Sequence, residues 1–180
     1  APNAVFLDIE DSTKRLDVTR ANGVRSWADL RAILQSDALD GYGSVVIDSL
    51  TKAEELALEW MLKNVKTEKG GTASGIEGYG FGKGYQLLYD TFLSLLVDLD
   101  RHVRAGRNVV LVSHVCTQKV PNPMGDDFLQ FQPRLQQNKE GKASIRSRVF
   151  EWSDHVLFLG YDVATTEDGK GKGAGTRTIF

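Results

Sequence analysis

Four short apolar segments occur along the chain and predict the strands of a sheet. They are residues 4–7, 44–47, 108–112 and 155–159. They are rich in β-branched side chains and do not alternate with polar residues, which is typical of strands buried on both faces of a parallel sheet. We therefore expect the four segments to lie in one buried sheet.

Between these segments, apolar residues recur at helical spacing and predict amphipathic helices. Ser26 precedes the first helix and Asp29 follows three positions later, as in a capping box with Asp in place of Glu. The second and third helices have apolar faces within residues 53–61 and 88–103, and Gly106 provides a stop for the third. Alternating strands and helices indicate an α/β fold with crossover helices.

Two long segments interrupt this alternation and are predicted to be loops. Residues 64–84 hold many of the glycines, and residues 117–143 hold three of the four prolines without a clear period. Loops of this length in a compact domain are usually functional or disordered. A last strand is expected from Thr176, after the Gly- and Lys-rich turn at residues 168–175.

Composition adds limits on the class of protein. The chain is 41% hydrophobic and 26% charged, as in an ordinary globular protein, and its length predicts one domain over residues 1–180. A net charge of −2 excludes a global positive field, so any nucleic-acid contact must come from a local patch. The single Cys116 excludes an internal disulfide. No apolar run suits a membrane span and no signal peptide opens the chain, so we expect a soluble, cytoplasmic protein without a membrane partner.

Polar side chains follow three of the apolar segments, at the points where the strands end. They are Asp8, Glu10 and Asp11, then Asp48 and Ser49, then Ser113 and His114. Ligands of open α/β sheets bind beyond the carboxyl ends of the strands, so this set could hold a hydrated Mg²⁺, position a water and sense a phosphate. The alternative is that strand ends are polar because they meet solvent, and that Asp or Ser there caps the next helix.

The same segments resemble a known family. AVFLDIEDSTKRLD, SVVIDSLTKAEEL and NVVLVSHV resemble three successive strands of the RecA-like ATPase core. VVIDSL, GFGKGY, VVLVSH and SDHVLFL, in that order, are similar to motifs of phage-encoded RecA-like nucleotide-binding proteins, some implicated in single-strand annealing. The similarity spans roughly residues 4–160 and implies a mostly parallel sheet flanked by helices.

The resemblance also implies roles for the residues at the strand ends, with ATP and Mg²⁺ as cofactors. Asp48 corresponds to the Walker B aspartate, which holds Mg²⁺ through water, and Ser49 would support it. Glu10 corresponds to the general base that orients the attacking water. His114 would read the γ-phosphate, in a position where RecA has glutamine; the alternative is a histidine satisfied at a strand end.

The phosphate-binding loop of such ATPases is missing from the 180 residues. Four lysines follow a glycine, but none is followed by Ser or Thr as G-x-x-x-x-G-K-[S/T] requires. The resemblance places that loop upstream of the first strand, so we expect the natural protein to begin earlier and this chain alone to be inactive. Loss of a central strand would bare a sheet edge, which predicts pairing with another copy or a rearranged sheet.

The resemblance makes the two long loops candidates for contact with single-stranded DNA. Residues 117–143 supply cations for phosphates and rings for base stacking, namely Lys119, Phe128, Phe131, Arg134, Lys139 and Lys142. Acidic residues in the same segment dilute its charge, and a solvated variable loop is an equally open alternative.

Taken together, these features predict an ATP-binding, phage-type homo-oligomer that couples hydrolysis to DNA recombination or single-strand annealing in the host cytoplasm. The alternative is a nucleotide-dependent oligomeric switch, or a degenerate module that binds protein partners without turnover.

Overall fold

The computed structural model describes residues 2–138, 142–165 and 171–179. The chain divides into a larger compact unit, Ala1–Arg148, and a smaller one, Val149–Phe180. Each unit has its own strands.

The larger unit is built on a four-stranded parallel sheet. Its strands are β1 (Ala4–Asp8), β2 (Thr19–Arg20), β3 (Ser44–Asp48) and β4 (Asn108–Val112), in the spatial order β2-β1-β3-β4. The apolar run of β3 is buried throughout because strands cover both its edges and its side chains pack on both faces. The structure therefore confirms the α/β fold class and places the first three apolar segments in neighbouring strands.

Helices α1 (Trp27–Gln35), α2 (Leu50–Asn64) and α3 (Lys83–Arg104) pack against one another and flank this sheet. The predicted cap of α1 is present: Ser26 Oγ accepts from the Asp29 N–H at 3.1 Å and donates to the Asp29 carboxylate at 2.8 Å. The apolar stripe of α3 is buried as its spacing predicted, with Leu88, Phe92, Leu95 and Leu99 in the core.

Two buried polar contacts fasten α1 to α3. Asp98 receives two bonds from the Arg31 guanidinium, at 2.6 and 3.1 Å, and one from the Gln35 amide at 2.9 Å. His102 is fully buried and its Nε2 lies 2.9 Å from the carbonyl oxygen of Leu34. Burial lowers the pKa of His102 below its ordinary value of 6.5, more than the bond to Leu34 raises it.

His102 predicts acid sensitivity of the fold. Because its folded pKa lies below 6.5, the unfolded state binds more protons as the pH falls, and stability present above pH 6.5 is lost progressively below it. The expected slope is at most about 1.4 kcal/mol per pH unit. Urea unfolding across pH should show this loss in the wild type and less of it in His102→Gln. The matched control is His155→Gln, at an exposed histidine; an equal acid response in all three proteins would contradict the prediction.

The third apolar segment forms a strand, but it is not buried on both faces. Among the described residues β4 is the last strand of the sheet, and Val110 and Val112 are 38% and 39% exposed. An apolar run indicates that a segment prefers burial, but it does not determine how many other strands pair with it.

The prediction for the fourth apolar segment is wrong. Residues 155–158 form no strand, Val156 and Leu157 are 53% and 69% exposed, and Leu159 begins β7 (Leu159–Thr165). Strand β7 pairs antiparallel with β8 (Gly171–Ile179), a partner close in sequence that competes well for its backbone groups. The strand predicted from residue 176 is the final part of β8.

The glycine-rich segment before α3 is more ordered than the sequence predicted. It contains a 3₁₀ turn, Ile76–Tyr79, and the buried Tyr79 hydroxyl donates to the carbonyl oxygens of Val65 at 2.8 Å and Met61 at 3.2 Å. Gly80 and Gly82 have φ angles of 72° and 73°, a region that other residues rarely adopt. These glycines therefore shape the entry to α3.

The proline-containing segment also has regular structure that the sequence analysis missed. Strands β5 (Val115–Val120) and β6 (Phe128–Pro133) form an antiparallel hairpin, followed by helix α4 (Ile145–Trp152). Two prolines fall in the connecting turn, which leaves each strand too short for a visible period. Within the described part of the chain, no helix is both long and apolar enough to cross a membrane.

Candidate functional site

The carboxyl ends of β1, β3 and β4 meet at one edge of the sheet. Asp8 lies opposite Asp48, and Asp48 lies opposite Val112, because the three strands are parallel and in register. The residues that follow these positions therefore start from neighbouring points. We call this edge the strand-end rim, consisting of Asp8, Glu10, Ser12, Asp48, Ser49, Thr51, Ser113 and His114.

Glu10 is held between two partners on the rim. Its Oε1 accepts a short hydrogen bond from Ser49 Oγ, and its Oε2 lies 3.1 Å from His114 Nε2. The side chain is 24% exposed, so a carboxylate oxygen remains close to solvent. Three residues chosen from the sequence, on three separate strand ends, thus meet in one cluster.

Ser49 combines the two roles that the sequence left open. It is fully buried at the N-cap of α2, where its Oγ accepts from the Lys52 N–H at 3.2 Å. The same hydroxyl donates to Glu10. A helix cap and a rim contact are therefore made by one side chain, since a serine oxygen accepts and donates at the same time.

Asp48 is positioned by the loop that follows β1. Ser12 Oγ donates to Asp48 Oδ2 at 2.7 Å, and the Ile9 N–H donates to the Asp48 carbonyl oxygen at 2.8 Å. Ser12 was not singled out from the sequence, because nothing local links it to a residue 36 positions away.

Asp8 anchors the same loop, which follows β1, through its carboxylate. Its carboxylate accepts from the backbone N–H groups of Ser12 at 2.9 Å and Thr13 at 3.0 Å, and from the Thr13 hydroxyl at 2.5 Å. Burial acts to raise the pKa of Asp8, but the hydrogen bonds from Thr13 and Ser12 outweigh it, and the pKa lies below its ordinary value of 3.8. Asp8 is therefore an anion whose oxygens accept hydrogen bonds from the loop. Asp48 is the neighbouring carboxylate that remains available to a ligand at this edge of the sheet.

Thr51 ties the end of β4 to helix α2 and was missed from the sequence. Its buried Oγ1 accepts from the His114 N–H at 3.1 Å, lies 3.1 Å from Ser113 Oγ, and lies 3.3 Å from the Arg134 carbonyl oxygen. A threonine in the first turn of a helix gives no signal of such distant partners.

Arg134 lies at the rim, at the base of the hairpin. One guanidinium nitrogen is 3.0 Å from His114 Nδ1, and the Arg134 backbone N–H donates to the His114 carbonyl oxygen at 2.7 Å. The next residues are fixed to α2, where Glu54 accepts from the Gln136 N–H at 2.8 Å. Burial raises the pKa of Glu54 above its ordinary value of 4.5, although that bond opposes the shift.

The other basic and aromatic candidates do not all lie on one surface. Lys119 pairs with Asp127 at 3.0 Å, and Lys142 is exposed. Phe128 and Phe131 are three positions apart in β6, so they project from opposite faces of the hairpin. Lys139 lies outside the described residues.

The rim offers oxygen donors, which suit a hard divalent cation. In the part of the chain that the structure describes, no three His, Cys, Asp or Glu side chains gather closely enough to hold a metal ion. Mg²⁺ is usually held by one or two carboxylates together with substrate phosphates and waters. Asp48, steadied by Ser12, fits that kind of site better than a site made by protein ligands alone.

Comparison with known protein families gives a match over nearly the whole chain. A family model described as an AAA domain matches residues 1–179. Neither the curated proteins nor the solved structures contain a match.

Proposed function

The chain belongs to the AAA domain family, whose members are nucleotide-binding, ATPase-like domains, and on that premise we propose that its rim is the water- and metal-handling half of a site for Mg²⁺-dependent ATP hydrolysis. The observation that carries the proposal is the meeting of Glu10, Ser49 and His114 on three strand ends, next to Asp48. A phosphate-binding loop is not among these 180 residues. The proposal therefore concerns hydrolysis in a protein where such a loop adjoins the rim.

Glu10 is assigned as the general base. Phosphoryl transfer to water needs a carboxylate that orients the attacking molecule in line with the phosphate. Each carboxylate oxygen of Glu10 has two lone pairs, and the side chain is 24% exposed, so Glu10 can accept a hydrogen bond from a water while it keeps Ser49 and His114 as partners.

Asp48 is assigned to Mg²⁺ through water, with Ser49 in support. Mg²⁺, when bound, would neutralise charge on the phosphates. His114 is assigned to reading the γ-phosphate. Because its ring touches Glu10 on one side and Arg134 on the other, a change at the phosphate would be transmitted to the base of the hairpin.

We assign the hairpin a role with single-stranded DNA, in a phage-type homo-oligomer that acts in recombination or annealing. Lys119, Leu129 and Phe131 share one face of the hairpin, and the two apolar side chains are largely exposed. A cation beside such side chains suits a backbone phosphate next to a stacked base. The similarity to phage-encoded annealing proteins in four motifs supports the same assignment.

A specific contact favours the second candidate function, an oligomeric switch without turnover. Each carboxylate oxygen of Glu10 already has a protein partner, Ser49 on one and His114 on the other, so a catalytic water would have to share an oxygen with one of them. A protein that kept this arrangement with nucleotide bound would bind and assemble without hydrolysis.

Titration calorimetry with Mg·ATP, followed by phosphate release with and without single-stranded DNA, tests the proposal on the full-length gene product. Binding with DNA-stimulated hydrolysis is the expected result. Nucleotide-driven assembly without turnover, and without a DNA effect, would favour the switch. Absence of Mg·ATP binding would overturn the assignment of the rim to ATP.

A further inference from the structure

His114 is fixed from both sides of its ring. Its Nδ1 lies 3.0 Å from an Arg134 guanidinium nitrogen and its Nε2 lies 3.1 Å from Glu10 Oε2. Its backbone is held as well, by Thr51 Oγ1 at the N–H and by the Arg134 N–H at the carbonyl oxygen. The imidazole therefore has one orientation with a defined partner at each nitrogen.

These partners determine which ring nitrogen carries the proton. A guanidinium has five N–H donors and no acceptor, so the Nδ1 atom that faces Arg134 must accept with its lone pair. The ring proton then sits on Nε2, where it is donated to the Glu10 carboxylate. The partner of one ring nitrogen thus sets the tautomer, and the tautomer sets what the other nitrogen can do.

The opposite tautomer would disrupt the cluster. With the proton on Nδ1, that N–H would face the donors of Arg134, and the Nε2 lone pair would face the lone pairs of Glu10. Both contacts would be repulsive. Glu10 would then keep only its bond from Ser49 and would be free to leave the position it has on the rim.

Arg134 is itself held in place by the fold. Its carbonyl oxygen lies 3.3 Å from Thr51 Oγ1, and two residues later the Gln136 N–H donates to Glu54. Its backbone is therefore held beside His114, and from there a guanidinium nitrogen reaches Nδ1 at 3.0 Å.

We propose that Arg134 is a positioning residue for hydrolysis, which fixes His114 as the Nε2–H tautomer and through it holds Glu10. The inference rests on the proposed function for its kinetic consequence, but the tautomer belongs to the protein without nucleotide. It also gives Arg134 a task separate from contact with a DNA phosphate.

Long-range ¹H–¹⁵N correlation spectra of the histidine rings test the tautomer directly on this chain. The wild type should show His114 as the Nε2–H form, and Arg134→Met should shift it toward a mixture or the Nδ1–H form. Arg134→Lys retains a cationic donor and should restore the Nε2–H form. His102 is an internal reference, because an Arg107 guanidinium nitrogen lies 3.0 Å from its Nδ1 in the same way. The tautomer of His102 should be the same in every Arg134 variant.

Kinetics of the full-length gene product test the consequence. Arg134→Met should lower kcat by on the order of 10-fold to 100-fold, the range for loss of a partner that orients a metal-bound imidazole, with a smaller effect on nucleotide affinity. Arg134→Lys should recover part of the loss, and Arg104→Met, at an exposed arginine, should have no effect.

The outcomes separate this inference from the proposed function. A His114 ring that is Nδ1–H in the wild type, or unchanged in Arg134→Met, would overturn the positioning role even if the protein hydrolyses ATP. A tautomer that responds as expected in a protein without any ATPase activity would refute the proposed function and leave the control of His114 by Arg134 intact.

Discussion

Replacement of Glu10 by Gln is expected to reduce ATP turnover by about 10³-fold, within the range for loss of a general base, and to leave ATP binding intact. The reason is that the amide retains the shape of the side chain and its hydrogen bonds but has no basicity. The Gln oxygen can accept from His114 Nε2, while the Gln NH₂ group donates to Ser49, whose hydroxyl also accepts. The cluster should therefore stay in place without its base.

Phosphate release and titration calorimetry on the same preparation measure the two quantities separately. Glu59→Gln is the matched control, because it makes the same chemical change at an exposed position of α2, away from the rim. Turnover close to that of the wild type in Glu10→Gln would remove Glu10 from the role of base. A parallel loss of nucleotide binding would instead show that the carboxylate contributes to the binding of ATP before hydrolysis.

The part of the site that could be predicted from sequence depends on the regularity of parallel strands. An apolar run that ends in a polar residue fixes both the strand and its exit point, and parallel pairing brings the exits of neighbouring strands to one edge. This is why Glu10, Asp48 and His114 could be predicted to lie near one another, although Glu10 and His114 are more than 100 positions apart in the sequence. Local rules also sufficed for the Ser26 cap of α1.

The contacts that the sequence did not predict share a different property, which is that the partners are distant and irregularly placed. Ser12, Thr51 and Arg134 act on rim residues 36, 63 and 20 positions away, and no periodic pattern encodes those contacts. Arg134 was chosen from the sequence for its charge alone. Its neighbour on the rim became visible only with the hairpin of β5 and β6, whose strands are too short to show a period.

The failure at residues 155–159 has the same origin on a larger scale. Composition correctly identified an apolar run, but the choice between a place in a parallel sheet and a local antiparallel partner depends on which backbone groups are available. In the structure, β8 provides a partner for β7 within the smaller unit. A pattern of side chains carries no information on that competition, whereas β1, β3 and β4 pair in the order in which their apolar runs follow one another along the chain.

Replacement of Asp48 by Asn is expected to weaken Mg²⁺-dependent nucleotide binding without unfolding the rim. The Asn side chain keeps an oxygen that can accept from Ser12, so the loop after β1 should retain its anchor. The lost term is the attraction between a carboxylate and a divalent cation. Even at the dielectric constant of water, this attraction is about 2 kcal/mol at 4 Å, which corresponds to roughly 30-fold in the dissociation constant.

Calorimetric titrations with ATP at high and low Mg²⁺ separate this effect from a general loss of affinity. Asp48→Asn should bind ATP alone as the wild type does and should gain little from added Mg²⁺, while Asp17→Asn, at an exposed aspartate, should keep the full Mg²⁺ response. An unchanged response in Asp48→Asn would mean that the cation is held by other groups. Since Asp8 is already committed to the backbone of the loop through Ser12 and Thr13, such a result would move the metal assignment away from this end of β3 altogether.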